Sequence, residues 1–183
     1  FDRWIEAIGE ASRFVDFENY ILRDDPVGRR FRDALVVKAR EGVRVRVLYD
    51  WVGCWATPRR FWRPFREAGI EVRAFNPPRL QIPFGLLQRD HRKLVGIDGR
   101  LAFAGGFCIG EAWAGTDTEA PWRDTGVELE GPAALAAVHA FERSWHARVD
   151  GERPTTLLQP DGLPPIPRTS EADGGVPVWL IEG

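Results

Sequence analysis

Methionine is absent from this chain, and Phe1 stands where an initiator would. We therefore expect a fragment whose natural start lies upstream. Cysteine is nearly absent too: Cys54 and Cys108 alone are too few for a disulfide framework or a zinc site, and a reducing compartment is the default. No stretch approaches the roughly 18 to 20 apolar residues that a membrane-spanning helix needs. The opening "FDRWIEAIGEASRF" is amphipathic, unlike a secretory signal. Neither sign of charge dominates, since 25 Lys and Arg oppose 27 Asp and Glu for a net charge of −2. That balance lacks the basic field of a nucleic-acid-binding domain, so no nucleic-acid partner is expected.

What is present suits one domain with a sizeable core: 183 residues, 44% of them hydrophobic and 28% charged. Charge is nevertheless placed unevenly. Arg59, Arg60, Arg63, Arg66, Arg73, Arg79, Arg89, Arg92 and Lys93 fall in one segment, against Glu67, Glu71 and Asp90. This is either a solvated helix face and loop or a local anion site.

Periodicity orders the first half. Trp4, Ile5, Ile8 and Ala11 recur at helical spacing over residues 3–13. "RFVDFENYIL" (13–22) alternates: Phe14, Asp16, Glu18 and Tyr20 face one way, and Val15, Phe17, Asn19 and Ile21 the other. Asp24 or Asp25 then caps a helix with Pro26 at its first position, Val27, Phe31, Leu35 and Val36 as its buried stripe, and Gly42 as its stop. "VRVRVLYD" (43–50) is a strand of a covered sheet. A short arginine-rich helix near 58–68, a stop at Gly69 and a strand over 70–75 follow. Alternation of helix and strand predicts an α/β fold with ligands at the strands' carboxyl ends, here "ENY", "YDWVGCW" and "FNPP".

The second half is less regular. "NPPRLQIPFGLLQRD" (76–90) has no helical period, yet Leu80, Ile82, Phe84, Leu86 and Leu87 are apolar; it is either a loop tucked into the core or an apolar rim suited to acyl chains. "HRKLVGID" and "RLAFAGGF" pair as a hairpin around Asp98-Gly99, a favoured two-residue turn, which makes the sheet mixed. A loop over 111–124, a strand over 123–131 and a helix over 132–149 opened by Pro132 complete a first unit, residues 1–150. Residues 151–176 read as a Pro- and Gly-rich linker, and 177–183 as the first strand of an incomplete second unit.

Within "DHRKLVGIDGRLAFAGG" (90–106), His91 and Lys93 share one face of a strand, about 7 Å apart along it. Lysine offers a fixed cation to a phosphate oxygen, and neutral histidine offers a nucleophile or a proton carrier. The pair suits phosphoryl transfer through a phosphohistidine. Asp98, at the turn, either orients the lysine or holds the turn.

These residues resemble the HKD motif of the phospholipase D superfamily, and specifically the first motif of bacterial cardiolipin synthases. "ENYILRDDPVGRRFRDALVVKAREGVRVRVLYDWVG", "FNPPRL" and "PWRDTGVELEGPA" resemble the matching segments of that group, so the likeness runs over about residues 1–150. It implies a phospholipase D-like half-domain, an α-β-α sandwich whose mixed sheet is flanked by helices. It implies a mechanism without metal or cofactor, in which two HKD motifs meet: one histidine attacks the phosphodiester phosphorus and the other protonates the leaving alcohol. His91 matches the nucleophile, Lys93 the phosphate-binding lysine and Asp98 the motif aspartate. Asp124 of "WRD" matches the carboxylate that orients the histidine. Glu18 and Asn19 match residues at the edge of the site. Gly105, Gly106 and Cys108 occupy the small and amide positions beside the phosphate, with Cys108 where the family usually has Asn. Gly126 stands where these synthases commonly carry His.

The resemblance further implies a phospholipid substrate, phosphatidylglycerol, at a membrane surface, with a bacterial inner-membrane location for the parent protein and a soluble fragment. The remaining histidines, His139 and His146, have no lysine two residues on, so the second motif must come from a missing half or from a second copy of the chain. Three readings follow: half of a phosphatidyltransferase with Trp51, Trp55 and Trp62 at a lipid-facing mouth, a homodimeric phosphodiesterase or nuclease, and a non-catalytic half-domain.

Overall fold

The computed structural model describes residues 1–78 and 89–146. The apolar run at 80–87, the end of the terminal helix, the linker at 151–176 and the strand at 177–183 lie outside the described residues.

In chain order the elements are α1 (Asp2–Gly9), β1 (Phe14–Asn19), α2 (Pro26–Arg40), β2 (Arg44–Asp50), α3 (Arg59–Glu67), β3 (Glu71–Phe75), β4 (Lys93–Ile97), β5 (Leu101–Gly105), α4 (Glu111–Ala114), β6 (Gly126–Glu130) and α5 (Gly131–His146). The six strands form one mixed sheet in the order β3-β2-β1-β4-β5-β6. β1, β2 and β3 run parallel, while β4 pairs antiparallel with β1, β5 with β4 and β6 with β5.

Local chemistry sets these boundaries as the sequence predicts. Asp25 caps α2 by accepting from the Gly28 N–H at 2.8 Å, with Pro26 at the first helical position. Past α2 and α3, Gly42 and Gly69 take left-handed φ values of 90° and 75°, which stop both helices. The hairpin turn is built by Asp98 and Gly99, both with positive φ, and closed by the Arg100 N–H on the Ile97 carbonyl at 3.1 Å. Strand pairing begins at Ile97 against Leu101, so the loop holds Arg100 as well as the two expected residues. Residues 111–114, expected as loop, form the one-turn α4.

The two faces of the sheet differ in kind. Val15, Phe17, Val45, Val47, Val95, Ile97 and Phe103 pack with α1, α2 and α3 in one apolar cluster. Fully burying a side chain such as Phe31 or Leu35 contributes roughly 1.5–3 kcal/mol. The opposite face is covered by α5, where Leu48, Leu94, Ala102 and Leu129 meet Phe141 and Trp145. The polar residues that alternate along β1 and β2, Asp16, Glu18 and Arg46, are sealed under this helix. Arg46 reaches Asp16 Oδ1 at 2.8 Å, and both Glu142 oxygens accept from its guanidinium, one of them at 3.0 Å. Charge is tolerated there because it is paired.

Strand directions gather one end of the sheet. β4 is antiparallel to β1 and β5 to β4, so the start of β4 lies beside the ends of β1 and β5. There "DHRK", "NY" and "GGFC" meet.

Candidate active site

The expected strand at His91 begins only at Lys93, and the segment leading into it sorts its charges between the two faces of the sheet. Arg92 turns toward α5, with Nη2 3.0 Å from Glu18 Oε1 and Nη1 donating to the Ala140 carbonyl at 3.4 Å. His91 and Lys93 turn the other way. Lys93 Nζ lies 3.1 Å from His91 Nδ1 and donates to the His91 carbonyl at 2.6 Å. Tyr20, just beyond β1, brings its ring centroid to 4.6 Å from that of His91 and lies under Lys93 Nζ at 5.2 Å. Histidine is exposed and lysine is buried.

Electrostatics keep the imidazole neutral. Although the residue is exposed, partial desolvation of the ring and then the Lys93 charge push its pKa below the ordinary value, against a smaller pull upward from Asp50 and Asp90. Burial also lowers the Lys93 pKa, opposed by Cys108, Asp124 and Asp90. A protonated lysine has donors only, so Nδ1 is the acceptor of this contact and the ring proton sits on Nε2.

Asp50 positions the histidine from behind. Its Oδ2 accepts from the Asp90 N–H at 2.9 Å and its Oδ1 from the Gly53 N–H at 2.8 Å, joining the end of β2 to the residue before His91. No motif in the sequence marks Asp50 or Tyr20 as a site residue. The only signal for either is its place at the carboxyl end of a strand.

The other expected site residues are distributed unequally. Asn19 pairs directly with Lys93 across β1 and β4; its Oδ1 accepts from the Ile21 N–H at 3.3 Å, and its buried Nδ2 has no partner among the described residues. Glu18 points to the opposite face, fully buried, and is not brought to His91. Burial and then the neighbouring Asp90 charge hold its carboxyl well above the usual range. Asp98 sits at the far end of β4, roughly 16 Å from Lys93 at the usual strand rise. It accepts from Ser12 N and Oγ at 2.9 Å, Arg13 N at 2.8 Å and Phe14 N at 2.9 Å, and so fastens the hairpin to the start of β1.

Gly105, Gly106, Cys108 and Asp124 cluster beside Lys93. Gly106 lets the Asp124 carboxylate in: a Cβ there would stand 2.1 Å from Asp124 Oδ1. Asp124 is exposed and accepts from the Thr125 N–H at 2.7 Å; no hydrogen bond joins it to His91 among the described residues. Cys108 is buried, and burial raises its thiol pKa despite Lys93, so it stays protonated. A packing relation accompanies the departure at Gly126. The ring of Phe107 fills that space, and a Cβ on Gly126 would meet its Cζ at 2.4 Å.

His139 and His146 lie on α5, across the sheet from this site, and His146 Nε2 is 3.3 Å from Glu142. One histidine therefore serves the site among the described residues.

Comparison with known proteins gives the family and the fold. Residues 4–145 match the family model described as cardiolipin synthase, PLD-like domain. The major cardiolipin synthase of Bacillus subtilis is 40% identical over 148 residues, covering 80% of this chain and 31% of that protein. Among solved structures, the phosphatidylserine synthase of Haemophilus influenzae superposes with a TM-score of 0.63 at 16% identity, covering 82% of this chain and 34% of that one. Nuc, a phospholipase D family member from Salmonella typhimurium, gives 0.56 at 22% identity, covering 77% and 83%. These two structures bear on the fold alone. The chain spans about a third of the length of the curated cardiolipin synthases it matches.

Proposed function

The chain belongs to the cardiolipin synthase, PLD-like domain family, and from that premise we propose that it is the first catalytic half of a phosphatidyltransferase that makes cardiolipin from phosphatidylglycerol. The observation that carries this reading is the contact of Lys93 Nζ with a neutral His91. A phosphodiester entering beside Lys93 offers the ammonium a charged acceptor, better than an imidazole nitrogen. Lysine turns to the phosphate and leaves Nδ1. With the ring proton moved to Nδ1, Nε2 has a lone pair for the phosphorus. Asp124 is the carboxylate that would take the Nδ1 proton's hydrogen bond, and the unpartnered Asn19 amide is a donor for a phosphate oxygen.

In the first step the Nε2–P bond forms and the P–O bond to glycerol breaks. Glycerol leaves with a proton from a second histidine. In the second step the hydroxyl of another phosphatidylglycerol attacks and gives its proton to the second histidine, the N–P bond breaks, and both histidines are restored. The chain supplies one histidine, so a second half or a second copy supplies the other. Residues 1–150 would then be one half-domain and 151–176 the link to the next.

Light scattering of the purified chain, run beside an assay for cardiolipin from phosphatidylglycerol, tests this. The expected result is a monomer that is inactive until a separately expressed second half is added. An active dimer of this chain would mean that two copies of His91 complete the site. Activity that survives His91→Asn would overturn the reading.

A further inference from the structure

A second recess lies beyond the histidine site, between the turn after β2 and helix α3. It encloses about 610 Å³ and is lined by Tyr49, Trp51, Trp55, Arg59, Trp62 and Arg66 among others. His91, Lys93, Cys108 and Asp124 do not line it. Trp62 is buried and stacks on Tyr49, with ring centroids 4.1 Å apart and planes 22° from parallel. Trp55 does the reverse. It projects from the turn with 74% of its surface exposed, a large apolar area to leave in water.

The charge around these rings is specific. Arg60 pairs with Asp24 at 3.1 Å and Arg63 with Glu67 at 2.6 Å. Arg59 and Arg66 make no ion pair or hydrogen bond among the described residues. They flank Trp62 at spacings of three and four, on one helix face, about 10 Å apart along the axis. The recess thus presents aromatic rings between two guanidinium groups that have no ion pair or hydrogen bond among the described residues. Tryptophan is suited to the boundary between water and lipid, and the guanidinium fork matches a phosphate.

We propose that this recess binds the headgroup of an anionic phospholipid and moors the domain on a membrane, at a site separate from the one at His91. The inference rests on the phospholipid reading above. Arg59 and Arg66 take the phosphate and its neighbours, Trp62 and Tyr49 line the recess, and Trp55 enters the interface. Among the described residues no helix is long and apolar enough to cross a membrane.

Co-sedimentation of the full 183-residue chain with vesicles tests it, using pure phosphatidylcholine against phosphatidylcholine mixed with phosphatidylglycerol. The parent should partition onto the anionic vesicles and leave the neutral ones. Arg59→Gln with Arg66→Gln should weaken that partition roughly twenty-fivefold, about fivefold for each arginine, with an unchanged thermal midpoint. Trp55→Ala should reduce the blue shift of tryptophan emission on binding. Equal partition of parent and double variant, or equal partition onto neutral vesicles, overturns the proposal. His91→Asn separates it from the catalytic reading: vesicle binding is unchanged there while cardiolipin formation in the completed site is lost. If arginine-dependent binding appears but no complemented mixture makes cardiolipin, the mooring stands and the catalytic reading fails.

Discussion

Lys93 Nζ lies 3.1 Å from Nδ1 of His91, and that ammonium, second to burial, holds the imidazole below its ordinary pKa of 6.5. Replacing Lys93 with Met removes the charge and keeps most of the stem. The His91 pKa is then expected to move up toward the ordinary value, read from the imidazole C–H resonances in a pH titration. No movement would show that the lysine charge does not reach the ring. Because the neutral form attacks, activity of the completed site should persist on the acid side below pH 6.5 in the parent.

Asp98 should behave as a structural residue. Asp98→Ala leaves three backbone N–H groups and the Ser12 hydroxyl without their acceptor. The expected loss is on the order of 3 kcal/mol by urea unfolding. Burial acts to raise the Asp98 pKa, but hydrogen bonds from Phe14, Ser12 and Arg13 outweigh it and hold it below the ordinary value. A depressed folded pKa means that the unfolded chain takes up the proton first. The stabilisation is therefore complete above the unfolded pKa and is lost as pH falls through the folded one. The gap between parent and variant should close on acidification below about pH 4.

Gly106→Ala places a methyl group where the Asp124 carboxylate sits. Activity with the second half should fall at least tenfold, and stability by about 1–3 kcal/mol. Adding Asp124→Ala to the same chain should restore the stability but not the activity, as measured by thermal unfolding beside the cardiolipin assay. Restored activity in that double variant would remove Asp124 from the mechanism.

Arg46→Met strands Asp16 beneath α5 and removes the guanidinium from Glu142. A loss of about 3–5 kcal/mol is expected in chemical denaturation. Replacing all three with apolar residues of similar volume should recover most of it. A small effect of the single variant would mean that water reaches these carboxylates.

Helix caps, stops and the hairpin turn were legible in the sequence because each depends on a few adjacent residues. Asp25 with Pro26, Gly42, Gly69 and Asp98 with Gly99 act within one turn of the chain. The parallel first half was legible as well, since period and length there agree. Strand alternation puts residues two apart on one side and so suggests the pairing of His91 with Lys93, although β4 begins at Lys93 and His91 lies just before it.

What the sequence could not decide is what covers each face. The alternation of Asp16 and Glu18 with Val15 and Phe17 describes equally a wet strand and one sealed by a helix. Only the docking of α5 from more than 100 residues away turns Glu18 from a candidate at the site into a buried carboxylate on the opposite face. Tyr20 and Asp50 likewise reach the histidine region from the ends of two different strands. Motif residues were readable because their chemistry is local. The partners that set their charge, orientation and exposure were not, because antiparallel and parallel pairing bring them together across distances in the chain that no short-range pattern encodes.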